Sequence, residues 1–149
     1  MHKYEEVPEI INFTVWSILY LSEGDNVQIE EVLALDCNKR IVGLISSSDP
    51  GIQFTCLKIV GNLLSGLDHQ VQVLIDEGVI EALAVTLESK KRAFRKAATW
   101  GLSNIMAGNA VHLERILNYK DNAIINKLFY MIDHDAVEVK ICWEKWFIH

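Results

Sequence analysis

The chain has 149 residues, half of them hydrophobic, two prolines and a formal net charge of −6. That is enough apolar material for one core, and a surplus of acids argues against general nucleic-acid binding. No apolar run is long enough to span a bilayer, and Met1–Glu6 does not read as a signal peptide, so no membrane partner is expected.

Pro8 and Glu9 open a first helix that should run to about Ser22. Asp25 is placed to cap the next, with Gln28 at capping-box spacing and Val27, Ile29, Val32 and Leu33 as its apolar residues. A short helix should follow around Lys39 to Ile45, then a loop over Ser46–Gly51 and a helix from Ile52 to Ser65. Asp68 is the expected N-cap of a helix through Glu77, which Gly78 breaks before a further helix over Val79 to Leu87. The polar run Glu88–Arg92 leads into a helix containing Trp100. Helices over Asn109–Tyr119, Ala123–Ile132 and Ala136 to the C-terminus follow, with Asp121 and Asp133–Asp135 as the caps between them.

The Trp100 helix organises this pattern. Ala97, Ala98, Gly101, Leu102 and Ile105 recur at steps of three and four and predict one narrow, small-residue buried face. Trp100 and Asn104 are four apart and share the other side, and Gly108 is the expected C-cap. The same spacing recurs as Trp16 and Tyr20 before Gly24, as Lys58 and Asn62 before Gly66, and as Trp143 and Phe147. Trp16, Lys58, Trp100 and Trp143 are separated by 42, 42 and 43 residues, a helical repeat length that points to an armadillo or HEAT solenoid. The expected architecture is all-α, a right-handed armadillo-type α-solenoid of about three and a half units forming one domain over 1–149. It comprises a partial repeat 1–24, repeats at about 25–66 and 67–108, and an incomplete repeat 109–149. Beginning and ending inside a unit would leave apolar residues uncovered, here Val15, Ile18 and Leu19 and then Ile141, Trp146 and Ile148, and would favour self-association.

Leu57–Gly66 followed by Asp68, and then Lys96-Ala-Ala-Thr-Trp-Gly-Leu-Ser-Asn-Ile-Met-Ala-Gly108, resemble consecutive armadillo repeats of importin alpha. Trp16–Gly24 resembles the repeat of that family in which Tyr stands at the usual Asn position. The resemblance covers nearly the whole chain and implies an adaptor that holds a basic nuclear localisation signal, extended and antiparallel, along a concave groove. It implies peptide-binding roles for Asn62, Asp68, Trp100, Asn104, Trp143, Trp16 and Tyr20. The indoles would form slots for Lys and Arg stems, the amides would clamp backbone, and Asp68 would accept a charged head. It further implies residence in cytoplasm and nucleus.

Several positions depart from the family's pattern. Ala97 and Lys140 stand where a Glu three residues before the Trp is usual, and Phe147 stands in place of the final Asn. The sequence has no counterpart of the basic segment that binds importin beta. Charge is uneven: residues 1–89 carry 14 acids and 4 bases, whereas 90–149 carry 6 acids and 10 bases, including the cluster Lys90–Lys96. That cluster reads either as a solvated helix start or as a site for an acidic partner.

Catalytic chemistry is not indicated. No nucleophile–base pair or phosphate loop is present, the five histidines lack metal-ligand spacing, and no cofactor is implied. Cys37, Cys56 and Cys142 are isolated and odd in number, and are expected to be reduced and buried. Asn62 and Asn104 also fit a role as ties between repeats. Two functional readings therefore stand side by side: an adaptor for basic signal peptides, favoured by Asn62, Asp68, Trp100 and Asn104, and an importin-like scaffold without cargo, favoured by Ala97, Lys140 and Phe147.

Overall fold

In a computed structural model of the protein, residues 7–135 are described. They form α1 (Pro8–Ser22), α2 (Asn26–Leu33), α3 (Asn38–Leu44), α4 (Pro50–Leu63), α5 (Asp68–Asp76), α6 (Val79–Thr86), α7 (Arg92–Met106), α8 (Ala110–Leu117) and α9 (Ala123–His134), with no strand among them. The expected helix from Ala136, with Lys140, Ile141, Trp143, Trp146, Phe147 and Ile148, lies outside the described residues.

The long helices α1, α4 and α7 stack side by side, α4 packing on both α1 and α7. Their first residues, Pro8, Pro50 and Arg92, are 42 apart, as are Asn26, Asp68 and Ala110 at the starts of α2, α5 and α8. Equal spacing of starts marks a 42-residue structural repeat in which each helix of a set takes the same place in its unit. The second row is built from the short helices, α2 packing on α5 and α3 on both α5 and α6. Between the rows runs a continuous core that includes Ile29, Ile45, Leu57, Leu64, Leu74, Leu83, Leu102 and Ile105, all essentially inaccessible. The described chain is an armadillo-type α-solenoid.

Local chemistry explains the helix starts. Asp25 accepts from the backbone of Val27 and Gln28, both at 3.1 Å, while Gln28 Oε1 accepts from Asp25 N at 3.0 Å, completing the expected capping box. Asp49 accepts from Gly51 N at 2.8 Å and Ile52 N at 3.1 Å, with Pro50 in the first turn. This start lies two residues before the expected one, because Pro is pre-set for a first helical turn and ends the loop early. Asp68 does not cap α5 but is its first residue; Gln70 Oε1 instead accepts from Leu67 N at 2.9 Å. Asp121 likewise is not a cap: Lys120, Asp121 and Asn122 all take left-handed backbone, and Asn122 precedes α9.

The glycines after α1, α4 and α7 have a different role from the one their positions suggest. The C-caps are Glu23, Leu64 and Ala107, and Gly24, Gly66 and Gly108 have no positive φ. A Cβ on Gly24 would collide with the Gln28 side chain, and one on Gly66 with that of Gln70. These glycines therefore leave room for the glutamine that folds back to cap the next helix. At the third position, a Cβ on Gly108 would lie 3.3 Å from His112 Nδ1. Gly78 is the one described glycine in left-handed backbone, φ 86°, and turns the chain from α5 into α6.

Val15, Ile18 and Leu19, expected on an uncovered end, are buried because α1 packs on α4. What α1 leaves exposed is Ile10, Phe13, Trp16, Tyr20 and Leu21, with Phe13 76% exposed. Cys56 is buried in α4, and burial pushes its thiol up to about 12; the half-buried Cys37 is raised in the same sense. Since the thiolate is the nucleophile, an alkylating reagent at mildly alkaline pH should modify Cys37 in the native protein and reach Cys56 only after denaturant is added. Peptide mapping by mass spectrometry reads this directly; native labelling of Cys56 at the rate of Cys37 would contradict the burial.

Candidate functional site

The exposed edges of α1, α4 and α7 enclose an open cleft of about 610 Å³. Leu19 and Glu23 come from α1, Phe54, Lys58 and Asn62 from α4, and Ala93, Lys96, Ala97 and Trp100 from α7. Phe54, Lys58 and Asn62 stand 42 residues before Lys96, Trp100 and Asn104, and Asn104 adjoins α4 through its hydrogen bond to the Gly61 carbonyl.

Trp100 is 37% exposed, and its indole lies on the backbone of α4 at Gly61. A Cβ there would collide with ring atoms Cζ3 and Cε3, so glycine is what lets the indole lie against the neighbouring helix. Below it, Ala98, Gly101, Leu102 and Ile105 are buried as expected. Ala97 is only half-buried: it packs against the core and also borders the cleft. The buried part of α7 is broader than the narrow face predicted, because α4, α6 and α8 all pack on it. Phe94, Thr99, Ser103 and Met106 are buried too, with Thr99 and Ser103 donating their hydroxyls back to the carbonyls of Arg95 and Trp100.

The two asparagines tie neighbouring helices together. Asn62 Nδ2 donates to Ser22 Oγ at 3.1 Å, and Asn104 Nδ2 donates to the Gly61 carbonyl at 3.2 Å. Among the described residues neither carboxamide oxygen accepts a hydrogen bond, so each amide keeps acceptor capacity and a second N–H for another backbone. Tie and clamp are thus compatible roles for the same side chain.

Asp68 does not line the cleft. Its Oδ1 approaches Gly108, where a Cβ would be 3.3 Å away, which puts an exposed carboxylate at the end of α7, one turn beyond Asn104. Trp16 and Tyr20 pair along α1, ring centroids 6.5 Å apart and planes tilted by 41°, and are 46% and 72% exposed. They extend the aromatic surface beyond the cleft without forming its wall. Of the residues singled out from the sequence, Asn62, Trp100 and Asn104 are brought together, Asp68, Trp16 and Tyr20 flank them, and Trp143 is outside the described residues.

Sequence reasoning missed Leu19, Glu23, Phe54 and Lys96 as cleft residues. Phe54 stacks on Phe94 with centroids 5.4 Å apart, and Lys58 Nζ lies 5.0 Å from the Phe54 centroid. Lys91 Nζ sits 4.9 Å from the Phe94 centroid, at the start of α7. The 42-residue register applied to Lys96 leads to Phe54 and would have found both. In the basic cluster the charges divide in use. Arg95 donates from Nε to Asp135 Oδ2 at 2.6 Å and also to the carbonyls of Ser89 and Lys90, fastening α7 to the end of α9. Lys90, Lys91 and Lys96 are exposed.

Comparison with known proteins agrees with the fold. Residues 68–107 match the Armadillo/beta-catenin-like repeat family. Importin subunit alpha-1a of Oryza sativa subsp. japonica is 32% identical over 119 residues, 79% of this chain and 22% of that protein. Importin subunit alpha-7 of Arabidopsis thaliana is 32% identical over 93 residues, 62% of this chain and 18% of that protein. The chain thus spans about a fifth of the length of these curated relatives. A designed armadillo repeat protein in complex with the peptide (KR)4 superposes with a TM-score of 0.86 at 22% identity, covering 97% of this chain and 59% of that one. The chain is an importin alpha-like armadillo-repeat protein.

Proposed function

We propose that this chain is a single, non-catalytic armadillo domain whose concave face binds an extended Lys/Arg-rich segment of the nuclear-localisation type, as an import adaptor acting between cytoplasm and nucleus. The observation that carries this reading is Trp100, held half-exposed over Gly61, whose carbonyl binds Asn104 and whose chain neighbour is Asn62. An indole face receives an alkyl stem and attracts its cation, contributing roughly 0.5–1 kcal/mol at an exposed site. Amides four residues along each helix can hold peptide N–H and C=O groups whatever the side chains. Support also comes from the relatives, which are named importin alpha subunits, and from the (KR)4 peptide that the designed neighbour binds.

The test is fluorescence anisotropy with labelled (KR)4 against an uncharged peptide of equal length, over a series of salt concentrations. Saturable binding that weakens with salt is expected, because exposed charges are screened over ~8 Å at physiological ionic strength. Equal signals for both peptides would reject the reading and leave the scaffold alternative, to which Ala97 in the cleft still points.

The exposed row Ile10, Phe13, Tyr20 and Leu21 on α1 favours self-association at high concentration. Light scattering across a dilution series should show apparent mass rising with concentration. A constant monomer mass would contradict it.

A further inference from the structure

Beyond the cleft, where α7 ends and α8 begins, a buried histidine keeps a lone pair without a partner. His112 Nε2 meets Gln72 Oε1 on α5 at 2.9 Å. Gln72 in turn donates from Nε2 to Asp76 Oδ1 at 2.8 Å, which turns its carbonyl oxygen toward the ring. Nε2 therefore carries the proton and Nδ1 is left as an acceptor. That nitrogen is buried and accepts no hydrogen bond. In the two preceding units the same place is held by Gln28 and Gln70, whose Oε1 atoms accept from the backbone of Asp25 and Leu67.

Two further acceptors converge on the same spot. A Cβ on Gly108 would stand 3.2 Å from the Ile105 carbonyl oxygen, 3.3 Å from Asp68 Oδ1 and 3.3 Å from His112 Nδ1. Asp68 is exposed and has no hydrogen bond or ion pair among the described residues. Nothing in this set donates, and the missing side chain of Gly108 leaves the space between the three atoms open. Nδ1 lies out of reach of water, so a bare ion suits the space better than water or an alkylammonium. We propose that Asp68, His112 and the Ile105 carbonyl bind a divalent transition-metal ion of the zinc type. Imidazole nitrogen favours such an ion over Mg2+ or Ca2+, which take oxygen ligands. Gln72 supplies the outer hydrogen bond that orients a ligating histidine. Bond lengths of about 2.0–2.2 Å require the exposed Asp68 side chain to close in, and water completes the coordination. The ion joins α5 to the end of α7 and the start of α8, coupling neighbouring units. Its ligands are far apart in the chain, so histidine spacing in the sequence gives no sign of it.

Imidazole 15N spectra and thermal melts, each with and without Zn2+, test the site. The His112 Nδ1 resonance should move on titration, and the melting midpoint should rise by about 3 °C or more, as binding to the folded state alone requires. His112→Gln installs the residue that holds this place in the other two units. It should fold, melt near the wild-type midpoint without zinc, and show no rise with it. Asp68→Asn, and Gly108→Ala, whose methyl group fills the space, should each lose most of the zinc response. His69→Gln removes the exposed histidine beside Glu30 and should leave both readouts unchanged. A zinc-dependent rise that survives His112→Gln or Asp68→Asn overturns the inference, as does one that disappears with His69→Gln. A His112 resonance that stays in place overturns it as well.

Discussion

Leu102→Ala should destabilise the protein by about 2–5 kcal/mol, the range for truncating a buried leucine whose surroundings relax only in part. Leu102 is fully buried on α7, the helix that packs at once on α4, α6 and α8. In a solenoid each unit is held only by its neighbours, so loss of packing on a central helix weakens the units on both sides. Chemical denaturation followed by circular dichroism would show the midpoint falling with little change in slope. A midpoint within error of wild type would mean that α7 is not the centre of the stack.

Trp100→Ala should have the largest effect on binding. Truncating a central aromatic anchor typically costs 2 kcal/mol or more, roughly a thirtyfold loss of affinity. Fold stability should change far less than for Leu102→Ala, because part of the indole is already in solvent. Gly61→Ala approaches the same site from below: its methyl group would displace the ring from its seat without removing any cleft side chain. Binding should weaken in both variants. Unchanged affinity in Trp100→Ala would exclude the indole from the peptide site.

The stack was legible in the sequence because its period is written in residues that only a repeat would place so regularly. Trp16, Lys58 and Trp100 at 42-residue intervals gave the register, and the exposed edge of α1, α4 and α7 followed. Single-residue roles were harder to read. Gly24, Gly66 and Gly108 looked like helix C-caps, since sequence shows that a side chain is missing but not what occupies the space. Only the folded chain shows Gln28 and Gln70 turned back over the first two. Val15, Ile18 and Leu19 looked uncovered because their partner, α4, begins 35 residues beyond Val15.

The cleft was read in part for the same reason. Trp100 and Asn104 announce themselves by spacing within α7, and Asn62 by its place four residues after Lys58 in α4. Glu23 and Lys96 acquire meaning only when α1, α4 and α7 lie side by side, which brings both to one groove. Ala97 was expected on the buried face and also at the position of a groove acid, and it does both, packing against the core and bordering the cleft. Its small side chain makes it ambiguous by pattern, since alanine suits a tight helix contact and an open groove equally well.

The central claim, that the cleft across α1, α4 and α7 is a peptide site, is tested most directly by nuclear magnetic resonance. Titration of the 15N-labelled protein with (KR)4 should shift the indole N–H of Trp100 and the side-chain amides of Asn62 and Asn104 together, at one common affinity. Resonances of α5 and α6, on the other row of helices, should stay in place. Shifts confined to that outer row, or no shifts at all, would contradict the account.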